Sequence, residues 1–537
     1  MKKLFYIAAM AAVTFTAGCK KYLEVNQNPS TPQVADAAAL LPSMQANMAR
    51  GLWFDGRYAG QYVQQWGSST AANAWDRQGY ASGSDAFGEM WRQHYYAIGT
   101  NVDLMWQDAQ KNQKWDYMGV GYAIRAWSWQ VSTDQYNEMI LKQAWDPTRT
   151  VFDYDSQPEI YAEVRRLCNE ALTYLNRTDG AVSSASLGRG DYMYYGDRSK
   201  WIKFVNALMA MNYHHRTNKS NYNADSVIYY VDHSFQSNAD NATVQCNGSS
   251  TGDGNFWGPA RQNLNSYRQS DYMVRLLDGR IFTGAANQDT TVDPRLHLML
   301  SASKDGIYRG VLTAAGDPNR LNTNASIPYL WGYPSAVASG SSVIVNTPPT
   351  AGYAAKYIFR DNSRAVLITY AQLQFMKAEA LFRKGDKSGA LAAYKLGIAA
   401  HLDFVSNPPV ATNLTGSTNY ISSAAQAAYL AGKCVKQSPG DLQYSDILQQ
   451  KYIAEFGYGQ LETWVDMRRF HYDTNVYQGF SPPVAPQTLF PDNNGKLAYR
   501  ARPRYNSEYV WNIDALQKIG ALQTDYHTVE PWFSQNQ

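Results

Sequence analysis

"YAQLQFMKAEALFRKGDKSGALAAYKLGIAAHL", residues 370–402, decides the fold. Apolar residues recur through it at helical spacing, and the run splits at Gly385-Asp386 into two helices. Ala378, Leu381, Ala390, Tyr394 and Gly397 occupy the small, large, small, aromatic and small positions of a tetratricopeptide unit. Small side chains let the paired helices approach, and Leu381 and Tyr394 fill the gap between them. One such hairpin cannot bury its own face, so neighbouring hairpins must stack on it.

Further core faces lie upstream. Ile160, Val164, Leu167, Ala171, Leu172 and Leu175 follow a helical period, and Ser156 with Glu159 forms a capping box ahead of them. Trp201, Phe204, Val205 and Leu208 mark a second face, and Ile124, Trp127 and Val131 a third. From about residue 236 to 364 the texture changes to Gly, Asn, Ser, Thr and Pro, as in "NGSSTGDGNFWGPARQN" and "NASIPYLWGYPSAVASGSS". A stretch that long without helical period is an insertion carrying function. The expected fold is mainly α: stacked tetratricopeptide-like hairpins with a large loop-rich insertion forming the ligand face. The expected divisions are a removed signal over 1–18, scaffold over 19–235, insertion over 236–365, scaffold again over 366–472, and a loop-rich segment over 473–537.

The chain begins with Lys2 and Lys3, an apolar run over 4–17, and the small pair Ala17-Gly18. The run is too short to span a bilayer and reads as an export signal. Small residues before Cys19 resemble the bacterial lipobox, with Thr16 in place of its usual Leu. Cys19 is therefore expected to carry lipid; a plain signal peptide with an incidental cysteine is the alternative. Removing the signal takes two of the 48 basic residues and none of the 45 acidic ones. That near-neutral balance gives no reason to expect nucleic acid. Cys168, Cys246 and Cys434 are far apart in sequence, which leaves room for one bridge and excludes a disulfide scaffold. The 40 Tyr and 15 Trp either fill helix interfaces or line a site for flat, half-apolar ligands.

Five stretches together resemble SusD/RagB-type nutrient-binding outer-membrane lipoproteins of Bacteroidetes, in the branch with NxNP near the mature start. They are "NQNPSTP" from Asn26, "KWIKFVNALMAMNYHHR" from Lys200, "DPRL" from Asp293, "ITYAQLQFMKAEALFRKG" from Ile368 and "QKYIAEFGYGQLETWVDMRRF" from Gln450. They stand in the family's order across nearly all of the mature chain. Met211 departs from an Arg common in the family, and Glu462-Thr463 depart from Arg or Gly. The resemblance implies a lipid-anchored protein exposed on the cell surface, seated over a SusC-like TonB-dependent transporter. Such a protein would capture an oligosaccharide, or sometimes a peptide, and close over the barrel.

A sugar offers C–H faces to rings and hydroxyls to Asn, Asp, Gln and Arg. The candidates are Trp75 with Asn73 and Asp76; Phe256 and Trp257 with Asn255 and Arg261; and Tyr329, Trp331 and Tyr333 in "PYLWGYP". Trp331 leads, because prolines on both sides would stiffen its loop and reduce the ordering cost on binding. The bland alternative for each ring is packing beneath its own loop. Trp464, Asp466, Arg468 and Arg469 on one helix read as structural, as does the Asp293-Pro294-Arg295 turn. HExxH and P-loop motifs do not occur. His214-His215 has no third ligand near it in sequence, so no metal or cofactor is expected. Asp253 with Asn255, and residues 492–495, resemble pieces of calcium loops without the closing Glu, which leaves a structural calcium open. A glycosidase needs only two well-placed carboxylates, so a lipid-anchored hydrolase stands as a third reading after glycan and peptide binders.

Overall fold

The structure, a computed structural model, describes residues 35–70, 73–319, 324–332, 355–407 and 420–537. Its main helices are α1 (Ala37–Tyr62), α2 (Asn101–Lys111), α3 (Trp115–Tyr136), α4 (Gln157–Leu175), α5 (Arg198–His214), α6 (Ala224–Asp232), α7 (Tyr370–Lys384), α8 (Lys387–Ser406), α9 (Tyr444–Ala454) and α10 (Gln460–Arg469). From α2 to α8 each helix packs on the next, the pattern of stacked hairpins. The α9 helix lies against α7, and α10 crosses to α1.

The α7–α8 hairpin is built as its sequence requires. Gly385 ends α7 at φ +90°, a left-handed conformation that glycine adopts without a Cβ clash, and the Asp386 carboxylate caps α8 by accepting from Gly389 N. Ala378, Ala390 and Tyr394 are buried completely. At Gly397 a Cβ would fall about 3.0 Å from the Phe375 ring, so the small residue is what lets that ring lie between the helices. The Ser156/Glu159 capping box forms at the start of α4, with Ser156 N donating to Glu159 at 3.1 Å. Trp201, Phe204, Val205 and Leu208 are buried, as are Ile124 and Trp127, while Val131 and Leu172 are half-buried.

Although α6 and α7 touch, everything between Asp232 and Tyr370 separates them in sequence. That segment leaves the stack and returns through a neck in which β2 (Ala242–Val244) pairs antiparallel with β4 (Ala365–Ile368). A second small ladder joins β1 (Trp66–Ser68), just after α1, to β3 (Tyr267–Gln269). The loop-rich segment is thus tied to the helical body at two places.

Candidate functional site

The rings chosen from the sequence serve mostly as the underside of the loop face. Trp331 has no exposed surface and Trp257 has 1 %. The Trp331 indole N–H donates to the Trp257 carbonyl, and Trp257 meets Trp66 edge-on at 5.5 Å. Phe256, 2 % exposed, packs on Phe54 at 4.6 Å and Trp53 at 6.1 Å, with the Arg57 guanidinium over its ring. Tyr329 lies beneath the Arg268 guanidinium at 4.0 Å and beside Trp331. Trp75 nests among Tyr58, Tyr62, Tyr80 and Phe87. Packing beneath the loop, the alternative given for each ring, is what the structure shows for Trp331, Trp257 and Phe256, and Phe256 and Trp75 pack on rings of α1. The cause is physical. An irregular segment must bury its apolar area somewhere, and Trp and Phe carry most of it.

The polar candidates are engaged as well. Asn73 Oδ1 accepts from Asp76 N, and the Asp76 carboxylate takes Ser68 N on both oxygens at 3.0 and 3.1 Å. Burial pushes the Asp76 carboxyl up to about 7. Asn255 is buried, donating to Ser363 O and accepting from Trp257 N. Half-exposed Arg261 donates to Gly252 O. Tyr333 and Cys19 lie outside the described residues.

The insertion also forms an open cleft of about 490 Å³, lined by none of these rings and within the range of small-ligand sites. Its polar wall includes Asp271, Arg280, Asn287, Gln288, Arg309 and Asn319. Exposed Ile307 and Leu312 and half-buried Tyr308 supply apolar surface. Two bidentate pairs hold the guanidinium groups: Arg309 on Asp305 at 2.7 and 2.8 Å, and Arg280 on Asp278 through Nε at 3.0 Å and Nη2 at 2.7 Å. Tyr308 N donates to Gln288 Oε1, and Gln288 Nε2 returns a bond to Tyr308 O, which fixes the amide's orientation. Burial raises the Asp271 carboxyl above its ordinary range. Such a wall offers fixed donors and acceptors beside apolar faces, which suits a polyhydroxylated ligand. The stretch "SKDGIYRGV", residues 303–311, gave no sequence signal because one Tyr among charged residues carries no aromatic cluster.

The only other concentration of reactive groups lies in the core, among the described residues. His214 and His215, without a third ligand in sequence, meet four acids in space, three at ion-pair distance and Asp466 close by. His214 Nε2 lies 2.8 Å from Glu379, while His215 Nδ1 and Nε2 lie 2.9 Å from Asp134 and 3.1 Å from Glu462. Lys451 Nζ sits 2.8 Å from Glu462, 2.7 Å from Asp466 and 3.5 Å from Glu455, and Arg469 joins Asp466 to Glu379 at 2.6 and 2.9 Å. Burial alone would push the His215 imidazole down, but the Glu462 and Asp134 carboxylates outweigh it and raise it to about 9. Burial and the Arg469 charge lower His214 to about 4. Three overlapping sets of these groups have metal-like spacing: His214, His215 and Glu462; His214, Glu379 and Asp466; and Glu455, Glu462 and Asp466. The donor sets fit an ion poorly, because Lys451 and Arg469 already bring the positive charge to the same oxygens. The adjoining cavity, lined in part by Asp134, Glu462 and Arg468, measures about 40 Å³, room for a few waters and none for a sugar. This is structural charge compensation. Arg468 likewise donates to Asp134 O and Tyr499 O, and Arg295 clamps Asp293, as expected of the motif turn. Cys168, Cys246 and Cys434 are free and buried.

A sequence model for SusD-like proteins, described as starch-binding and associating with the outer membrane, matches residues 28–478. Among curated proteins no sequence matches. Solved structures share the fold. A chitin-binding protein is 20% identical with a TM-score of 0.68, over 93% of this chain and 100% of its own. A SusD homolog from Bacteroides fragilis is 18% identical, TM-score 0.67, over 94% of this chain and 100% of its own. A SusD/RagB family protein from Bacteroides thetaiotaomicron is 19% identical, TM-score 0.67, with the same coverage. At these identities the likeness establishes the fold and leaves the ligand open. No described helix is long and apolar enough to cross a membrane.

Proposed function

The chain belongs to the SusD-like family of nutrient-binding proteins associated with the outer membrane, and from that premise we propose that it captures an oligosaccharide in the insertion cleft and passes it on unconverted. Lipid on Cys19 holds it at the cell surface, and a SusC-like TonB-dependent transporter receives the ligand. No cofactor takes part. The observation that carries the reading is the cleft itself. Fixed amides and guanidinium groups beside Tyr308, Ile307 and Leu312 give hydrogen bonds and apolar contact together. A glycan is favoured over a peptide because the family is described as starch-binding and a structural relative as chitin-binding. The cluster of acids and histidines in the core is buried and plays no part in this capture.

The test compares glycan and peptide panels on soluble protein beginning after Cys19. Binding of a glycan, weakened roughly tenfold by Asn287→Ala and by Arg309→Ala through loss of hydrogen bonds of about 1–1.5 kcal/mol, supports the reading. Exclusive binding of peptides would replace it with the peptide reading.

A further inference from the structure

A second cleft lies in the helical body, and no residue of the insertion lines it. It encloses about 600 Å³. Its floor is buried Trp91, and Tyr95, Tyr96, Trp145 and Phe152 rise around it. The Tyr96 ring is 66 % exposed and carries the Arg92 guanidinium 5.8 Å from its centroid. Both flanking walls are π-helical, Gln93–Thr100 on one side and Tyr505–Tyr509 on the other. Wide turns of that kind are rare and concentrate at functional sites.

The rings are held in place before any ligand arrives. Trp145 adopts φ +60°, an unfavourable backbone for a bulky residue. Its indole N–H donates to Tyr95 O at 2.7 Å, and Arg125 stacks on the ring at 4.1 Å. It lies so close to Gly99 that a Cβ there would come within 2.2 Å of the indole. The Tyr95 hydroxyl is tied to Ile140, donating to its carbonyl and accepting from its N–H. With their polar atoms spent on backbone, Tyr95 and Trp145 offer carbon faces only. The rim supplies the hydrogen bonds. Arg92 is partnered by Glu89 and Arg504 by Asp85, so each brings spare N–H donors and little net charge. Asn512 bonds both backbone groups of the lining residue Phe152, and its chain neighbour Trp511 is 73 % exposed.

We propose that this cleft is a second glycan site, taking the C–H face of a neutral pyranose on Tyr96 and Trp145 while its hydroxyls meet Arg92 and Arg504. Compensated guanidinium groups suit hydroxyls better than a sugar carboxylate, and rigid rings in an open cleft suit a flat saccharide better than a flexible apolar side chain. The proposal rests on the glycan-capture reading above and adds a site that could grip another part of the same chain, raising affinity through effective concentration.

Maltoheptaose and chitohexaose are the probes, titrated calorimetrically into the soluble protein, into Tyr96→Ala, and into Asn287→Ala/Arg309→Ala. The expected result is residual binding in the double variant that falls roughly tenfold or more when Tyr96→Ala is added, the scale of one lost ring contact. A parallel readout uses 5-fluorotryptophan protein. Either sugar should shift the ¹⁹F resonance of Trp511, identified by its loss in Trp511→Phe, even if Tyr96→Ala folds poorly. Complete loss of binding in the double variant, with Tyr96→Ala unchanged and the Trp511 signal still, would overturn the second site and leave the insertion cleft standing. No binding of any glycan to the unaltered protein would overturn both, and a peptide seated on Tyr96 would overturn the carbohydrate assignment.

Discussion

Replacing Lys451 with Met tests the claim that the core charge network is architecture rather than chemistry. The side chain keeps its approximate length and loses its ammonium, which now lies within 3.5 Å of Glu455, Glu462 and Asp466. All four groups are buried. Three carboxylates then share a space with only Arg469 and His215 to offset them, and at pH 7 one must take a proton or the site must open. Removing one partner of a buried charge pair costs about 3–5 kcal/mol. With an m-value of about 3 kcal/mol/M, the urea midpoint should fall by about 1–1.7 M. Intrinsic tryptophan fluorescence across a urea series reads it. Adding Glu455→Gln should recover part of the loss, because it removes the carboxylate whose charge burial most disfavours. The deficit should also shrink toward pH 5, since the stranded acids gain protons in the folded state before the unfolded chain does. An unmoved midpoint, or a loss of glycan processing without loss of stability, would refute the structural assignment.

Other consequences follow from the same coordinates. His215, raised to about 9, stabilises the fold fully below its unfolded value near 6.5 and loses that contribution as pH rises toward 9, a change of up to about 3 kcal/mol. Urea midpoints at pH 6.5 and 8.5 should therefore differ, and His215→Gln should flatten the difference; an equal slope in the variant would contradict it. Trp331→Ala should cost about 3–5 kcal/mol and lower the melting temperature, because the ring is wholly buried. Unchanged melting with lost glycan binding would instead return Trp331 to the ligand.

The helical architecture was legible because its signals are local. Gly385, the Ala378/Tyr394/Gly397 pattern and the Ser156/Glu159 box each specify a turn, an interface or a cap within a few residues. The site was harder to read for the opposite reason. Whether a loop ring points out or in depends on what packs beneath it, and for Phe256 that is α1 and for Trp257 it is Trp66 of β1, both some two hundred residues away in sequence. Tyr96 and Trp145 stand in no motif of the sequence, and only the fold sets them beside residues 504–508. The four acids around His214 and His215 come from α3, α7 and α10, a convergence with no trace in spacing.

Incubating the soluble protein with maltoheptaose or chitohexaose, measuring heat of binding, and then weighing the recovered sugar by mass spectrometry confronts capture and conversion in one sample. Saturable binding with every sugar returned at its starting mass is the outcome this account requires. Shortened products, or no binding to any glycan while peptides bind, would contradict it.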